Sequence, residues 1–407
     1  MKTFTGFEYL LIDAANHYGL DKELFEDRIQ WVRSNIENLE AMSTDPLYCK
    51  AVRAIRKAQN HVPTGHLVGL DAVCSGIQIM SVMTGCIVGA TSTGLVDPDV
   101  RADAYGICTN HMRSELPGFN IERCDAKDAT MTAFYGSVKR PREIFGEDSP
   151  ELGAFYTAMQ KTAPGAWTLL KELTLAWNKG ALSHEWQLPD GFEVKVKVME
   201  TKDVRLEVDE LDGASFTYQF KQNMGSKSGQ SIPANAVHSV DAYIARCMHR
   251  RLNYDPALVG YMGELLEAEV LSRALGGTSV ITEHSNEVAY YCELYKASNM
   301  ADVVILNCLD MSNIGQLTDA HLKGLNHAVG LMLSHKPFEL VTIHDEYKAL
   351  AGNMNQVRFM YKELLAELAE STVLEWILNT LYKCNGSYTK LSTNLPALIR
   401  NSNYGLC

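Results

Sequence analysis

The stretch His66-Leu-Val-Gly-Leu-Asp71-Ala-Val-Cys-Ser75-Gly-Ile-Gln-Ile-Met-Ser-Val-Met83 reads as a short apolar strand that ends on a carboxylate and runs into an uncharged helix. The run from His66 to Leu70 suits a strand and is too short for a helix. No charged residue occurs from Ala72 to Val96, a length that raises the question of a membrane span. Glutamine, glycines, serines and threonines interrupt that stretch, so we read a buried helix and its loop. An acid left at the junction of two such apolar elements is a candidate for chemistry.

Upstream, Phe7, Leu10, Leu11, Ala14 and Tyr18, then Phe25, Ile29, Val32, Ile36 and Leu39, have the spacing of two amphipathic helices, with Gly19 between them as a stop. Downstream, residues 97–186 are mostly helical in pattern, with breaks near Pro98, Pro117, Pro141, Pro150 and Pro164. The period then changes to two. Phe192, Val194, Val196 and Val198 alternate with charged residues, as do Val204, Leu206 and Val208, and Phe216, Tyr218 and Phe220 follow the Asp212-Gly213 turn. This predicts a three-stranded antiparallel meander over 192–220. A flexible loop, Gly225 to Ser231, leads into a helix carrying His238, Asp241 and His249. The remainder is helical until the apolar run Phe338 to Ile343, which ends in His344-Asp345. The fold class is α+β, helix-rich.

A chain of 407 residues has room for about three lobes at about 150 residues each. Its 37 basic and 49 acidic residues leave a net charge of −12, so no basic coat binds polyanions by bulk charge and any nucleic-acid contact is local. Ten cysteines occur without a C-x-x-C, which argues against a thiolate zinc ribbon and for a reducing compartment. The first residues lack the apolar run of a signal peptide, so the expected location is the cytoplasm. No internal repeat or low-complexity tract is present.

Asp71 and Asp345 each close a short apolar run. If those strands are neighbours, two carboxylates converge, and Mg²⁺ takes one or two carboxylate oxygens, several waters and substrate phosphates. The plain alternative is two strand-end acids solvating turns. Arg123 to Gly136 reads as a helix with Gly136 as its stop. Arg123 and Lys127 lie one turn apart, and Tyr135 is about 12 Å further along the axis, comparable with the span of a nucleotide from its outer phosphate to its base. Between residues 123 and 142 the basic Arg123, Lys127, Lys139, Arg140 and Arg142 outnumber Asp125 and Asp128; the alternative is a solvated helix face. Cys74-Ser75 with His344-Asp345 suggests a hydrolase only weakly, since Val73-Cys-Ser-Gly is not a Gly-x-Ser-x-Gly elbow. No Walker loop or Gly-x-Gly-x-x-Gly is present.

Four segments in order, Asp71-Ala-Val-Cys-Ser-Gly-Ile-Gln78, Arg123-x3-Lys127-x7-Tyr135-Gly136, Ala236-Val-His238-Ser-x-Asp241 and Ile343-His344-Asp345, resemble the palm and fingers motifs of the single-subunit DNA-dependent RNA polymerases of phages and mitochondria. Asn16-His-Tyr-Gly-Leu-Asp-Lys22 with Phe25-Glu-x-Arg28 resembles the segment before the first motif. The resemblance implies a right-hand palm and fingers: a helical segment over 1–60, palm over 61–95, fingers over 96–238 with the nucleotide helix 123–136 and a β-hairpin region 190–230, and C-terminal palm and foot over 239–407. It implies DNA-templated RNA synthesis from ribonucleoside triphosphates in the cytoplasm of an infected bacterial host, with no membrane partner.

Residue by residue, the resemblance gives two Mg²⁺ ions to Asp71 and Asp345, with the Ala72 carbonyl a further ligand, and the incoming triphosphate to Arg123 and Lys127. Met131 joins the nucleotide site, and Tyr135 and His238 sense the ribose. Gly76 stands where related DNA polymerases carry a Glu that blocks the 2′-hydroxyl. Two departures stand out. Family members commonly have Gly after the first Asp and Ser after the second, and here these are Ala72 and Glu346. The 192–220 region falls where phage members carry a promoter-reading hairpin, yet it is rich in Glu and Asp, which disfavours duplex DNA. Members also place a promoter-binding domain, a thumb and early palm before the matched region. The expectation is therefore the larger chain of a split, heterodimeric phage RNA polymerase, completed by a second polypeptide. The rival reading is a non-catalytic polymerase-like subunit or a DNA-binding protein.

Overall fold

The computed structural model describes residues 1–279 and 281–407. Among the described residues, seven strands form three small antiparallel sheets among helices: β1 (Leu67–Asp71), β2 (Ser183–Gln187), β3 (Glu193–Lys197), β4 (Met199–Val208), β5 (Ala214–Asn223), β6 (Val341–Ile343) and β7 (Glu346–Leu350). The helix-rich α+β class holds.

The central sheet has the order β1–β7–β6. Val68 and Leu70 of β1, and Tyr347 and Ala349 of β7, are buried, as period-two alternation with one covered face requires. The helices Gly6–Ala15 and Met354–Glu370 pack on this sheet. The Thr5 hydroxyl accepts from Glu8 N–H while the Glu8 carboxylate accepts from Thr5 N–H, a reciprocal cap at the first helix start. The uncharged stretch after Asp71 is the helix Ser75–Thr84, every residue of it buried by protein. Gln78 explains its polar interruption: the side chain accepts from the Tyr361 hydroxyl (2.7 Å) and donates to the carbonyls of Thr93 and Gly405 (3.0 Å each). Among the described residues, no helix is long and apolar enough to cross a membrane.

Residues 402–407 are all buried and run back to the central sheet. Cys407 N–H donates to the Asp71 carbonyl (3.0 Å), Val73 N–H donates to the Gly405 carbonyl (3.3 Å), and Ala72 bridges Leu406. Arg358, fully buried between Phe4 and Phe25, donates to the carbonyls of Lys2 and Asn403 and to the Tyr9 hydroxyl. One cation thus ties both ends of the chain to the core.

Several expectations are corrected. The region over 192–220 is not a three-stranded meander. β3 pairs with β2, and β4 pairs with β5. Val198 separates the two ladders: its N–H donates to Leu182 and its carbonyl accepts from Met224. The sequence Ser-His-Glu-Trp-Gln of β2 has no aliphatic alternation, but His184 and Trp186 fill the inward slots. The helix expected over 123–136 ends at Ala133, and Tyr135 and Gly136 (φ +93°) lie in the turn beyond it. Pro150 and Pro164 open helices instead of breaking them, and Pro141 sits within one, Lys139–Phe145. The boundary expected at 238/239 falls inside the helix Ser231–Leu252, and Val259, Leu266, Leu306 and Leu325 belong to a second, smaller core.

The β4–β5 ribbon stands out from the body, its strands joined by residues 209–213, of which the last two, Asp212 and Gly213, are at positive φ. From Arg205 to Asn223 nearly every residue is exposed. Val204 faces Tyr218 and Leu206 faces Phe216, so one side of the ribbon is apolar and uncovered. A ribbon that buries so little adds little stability. Replacing residues 200–222 by a short glycine turn is expected to leave the melting temperature within about 2 °C of the wild type, as circular dichroism would register.

Candidate active site

Asp71 is the last residue of β1, directly opposite Glu346. Asp345 lies in the two-residue turn between β6 and β7, with His344 in the left-handed region (φ +56°). Ala72 N–H donates to the Asp345 carbonyl (3.1 Å). The two aspartates expected to converge are therefore neighbours, but through β7, the strand after Asp345, instead of the run before it. Asp71, Ala72, Asp345, Glu346, Lys127 and Met131 line one cleft of about 430 Å³. Gly76, Tyr135, His238 and Asp241 line an adjoining cavity of about 680 Å³, with Cys74, Tyr105, Met131 and Asp345 common to both.

The electrostatics favour a cation. Asp71 is an exposed residue, yet partial burial of its carboxyl, then Glu346, then Asp345 push it up to about 6. Burial, then Asp345, likewise push Asp241 up to about 6. Lys348, beside Glu346 at 2.9 Å, is the cation at this edge. Among the described residues no three His, Cys, Asp or Glu side chains form a closed metal cage. An open pair of carboxylates with repelling neighbours nevertheless fits Mg²⁺, which keeps waters and takes substrate oxygens.

The residues expected to sense the ribose come together. The rings of Tyr135 and His238 lie 4.6 Å apart between centroids, and a Cβ placed on Gly76 would meet the Tyr135 hydroxyl at 2.5 Å. The missing side chain at Gly76 is what leaves that hydroxyl room. Burial raises the Tyr135 phenol, so it is a neutral donor at physiological pH. Arg123 behaves differently from expectation. Its guanidinium makes a bidentate pair with Asp103 (2.7 Å and 2.7 Å) and lies over the Tyr105 ring, and it lines neither cavity. Lys127, on the same helix, is exposed toward the cleft. Burial pushes the Cys74 thiol up to about 11, so it is a neutral thiol at physiological pH, which speaks against a thiolate nucleophile here.

No motif or spacing points to Tyr105 or Asp103. Both sit just after the Pro98 break, and only the Asp103–Arg123 pairing, unreadable from spacing, brings them to the site. Asp241 lay within a quoted motif, one helical turn after His238, and that spacing was a usable signal.

Residues 3–141 match the model of the family described as DNA-dependent RNA polymerase. The chain is 32% identical over 161 residues to a probable DNA-directed RNA polymerase of Neurospora crassa, covering 33% of this chain and 18% of that one. It is 29% identical over 143 residues to T7 RNA polymerase of Escherichia phage T7, covering 31% and 16%. A third match, 23% identical over 305 residues, is the DNA-directed RNA polymerase of Pseudomonas phage phiKMV, covering 58% and 37%. The chain thus spans well under half the length of these relatives. The family match includes Asp71, Gly76, Arg123, Lys127, Met131 and Tyr135, and stops before His238 and Asp345.

Proposed function

We propose, from the relationship of residues 3–141 to the DNA-dependent RNA polymerases, that this chain is the catalytic part of an enzyme that extends RNA on a DNA template from ribonucleoside triphosphates. The observation that carries the reading is the meeting of Asp71 and Asp345 at one sheet end, beside the cavity of Gly76, Tyr135 and His238. Asp71 and Asp345, with the Ala72 carbonyl, would hold two Mg²⁺ ions. When bound, such a pair supplies charge stabilisation for the attacking and leaving oxygens.

The chain's own residues do the positioning. Lys127 offers a point charge to the triphosphate, whereas Arg123 reaches a phosphate only by exchanging Asp103 for it. Met131, on the wall shared by the two cavities, bridges the phosphate and sugar ends. The Tyr135 hydroxyl, seated over Gly76 and beside His238, donates toward the ribose. A site that hydrogen-bonds a hydroxyl discriminates strongly against a sugar that lacks it.

A second polypeptide belongs to this proposal. The chain carries −12 overall, and its exposed ribbon holds Glu200, Asp203, Glu207, Asp209, Glu210 and Asp212 against Lys202, Arg205 and Lys221. A DNA path gains from a partner that brings positive charge. The setting would be the cytoplasm of an infected bacterium.

The test is extension of RNA on a preformed RNA:DNA scaffold, measured with molar mass. Template-directed addition by a one-to-one assembly is the expected result. Activity of the 45.2 kDa chain alone would overturn the partner and leave the site standing. No addition by either form would favour a non-catalytic or purely DNA-binding protein.

A further inference from the structure

Glu346 is the acid that the resemblance does not account for. It sits opposite Asp71 in the antiparallel ladder, and side chains of directly opposed residues project from the same face, with Cβ atoms about 4.5–5.5 Å apart. Two residues further along β7, on that same face, is Lys348, opposite Gly69. The Glu346 side chain lies along the sheet over Gly69, where any Cβ would collide with its Oε1, and this oxygen pairs with Lys348 Nζ at 2.9 Å. Both side chains keep about a quarter of their exposure, 24% and 25%, so neither is locked in the core. The bare backbone at Gly69 is what gives the folded-down carboxylate its place.

We propose that Glu346 is a further carboxylate of the divalent-cation site, and that Lys348 is the counter-ion that holds it over Gly69 while the site is empty. The inference rests on the reading of Asp71 as a metal ligand. A divalent ion beside Asp71 supplies the positive charge that Lys348 otherwise provides, and a change of side-chain rotamer brings Glu346 toward it along a shared face, without backbone movement. The ligand class is a hard divalent cation such as Mg²⁺ or Mn²⁺, for which an added carboxylate oxygen is a good donor. Lys348 then sets affinity by competition: it withholds a ligand from an empty site and releases it to an occupied one.

The experiment is Mn²⁺ binding without nucleotide, followed by the electron paramagnetic resonance of free Mn²⁺. The purified assembly is compared with its Asp71→Asn, Glu346→Gln, Glu346→Asp, Lys348→Met and Glu346→Gln/Lys348→Met variants, each checked for native circular dichroism. Glu346→Gln is expected to weaken binding roughly 10-fold, in the range for residues that support metal ligands, with partial recovery in Glu346→Asp. Lys348→Met is expected to tighten binding several-fold, and to do nothing once Glu346 is Gln. Wild-type affinity in Glu346→Gln, with binding lost in Asp71→Asn, would overturn the inference and leave the metal reading intact. An equal effect of Lys348→Met with and without Glu346 would overturn the competition. Binding unaltered in Asp71→Asn would sink the metal reading itself.

Discussion

Asp71→Asn and Asp345→Asn each lower scaffold extension by more than about 100-fold, because each removes one negative charge from the pair that would hold the metals, at nearly constant shape. The fold is expected to survive, and for Asp71 the stability sign is specific. Its carboxyl is raised in the folded protein from 3.8 to about 6, by burial first and then by Glu346 and Asp345, so folding opposes its ionisation. That penalty is absent below about pH 4, grows as the pH rises to about 6, and is complete above it. Asn carries no such penalty. In chelator-treated buffer Asp71→Asn should therefore melt at or above the wild-type temperature at pH 8, with the difference vanishing by pH 4. Near-normal extension with Mg²⁺, or a variant that unfolds, would instead make Asp71 a structural strand-end acid.

Tyr135→Phe keeps RNA synthesis but lowers the preference for ribo- over deoxyribonucleotides by at least about 10-fold, with roughly 10⁴-fold as the upper range when a site is built to read a hydroxyl. Lys127→Ala weakens use of both sugars alike, since a triphosphate contact does not distinguish them. Competition between the two nucleotides on one template position measures the difference. Gly76→Ala serves as the geometric partner, because its new methyl would meet the Tyr135 hydroxyl at 2.5 Å and force the ring aside. It should shift sugar preference in the same direction as Tyr135→Phe. Unchanged selectivity in both variants would remove Tyr135 from the ribose.

What could be read in advance follows from how local each signal is. The strand ending at Asp71 and the helix after it are written in hydrophobicity alone, and both are present. The helix carrying His238 and Asp241 was equally legible from Ser231 and Pro233. β2 was missed because its inward positions are His184 and Trp186, which no aliphatic alternation announces. The pairing of β1 with β7 was missed because apolar runs mark strands without naming their neighbours, and the strand next to Asp71, Glu-Tyr-Lys-Ala-Leu, is half charged or polar in composition. Arg123 lost its expected freedom to Asp103, twenty residues upstream, and such a long-range side-chain pair leaves no periodic trace.

The junction at Asp71 also has a consequence for the order in which the protein is made. Its carbonyl accepts from Cys407, and its neighbours Ala72 and Val73 bond to Leu406 and Gly405. At about 5–20 residues per second, a ribosome needs roughly 15–65 s between translating Asp71 and reaching residue 402. Throughout that interval the Asp71 carbonyl and the Val73 N–H lack the Cys407 and Gly405 groups they bond to. A product that stops between residues 350 and 402 carries every residue assigned to the site and still lacks the segment that seats Asp71. The seat of Asp71 is therefore completed only after every strand of the central sheet has been made.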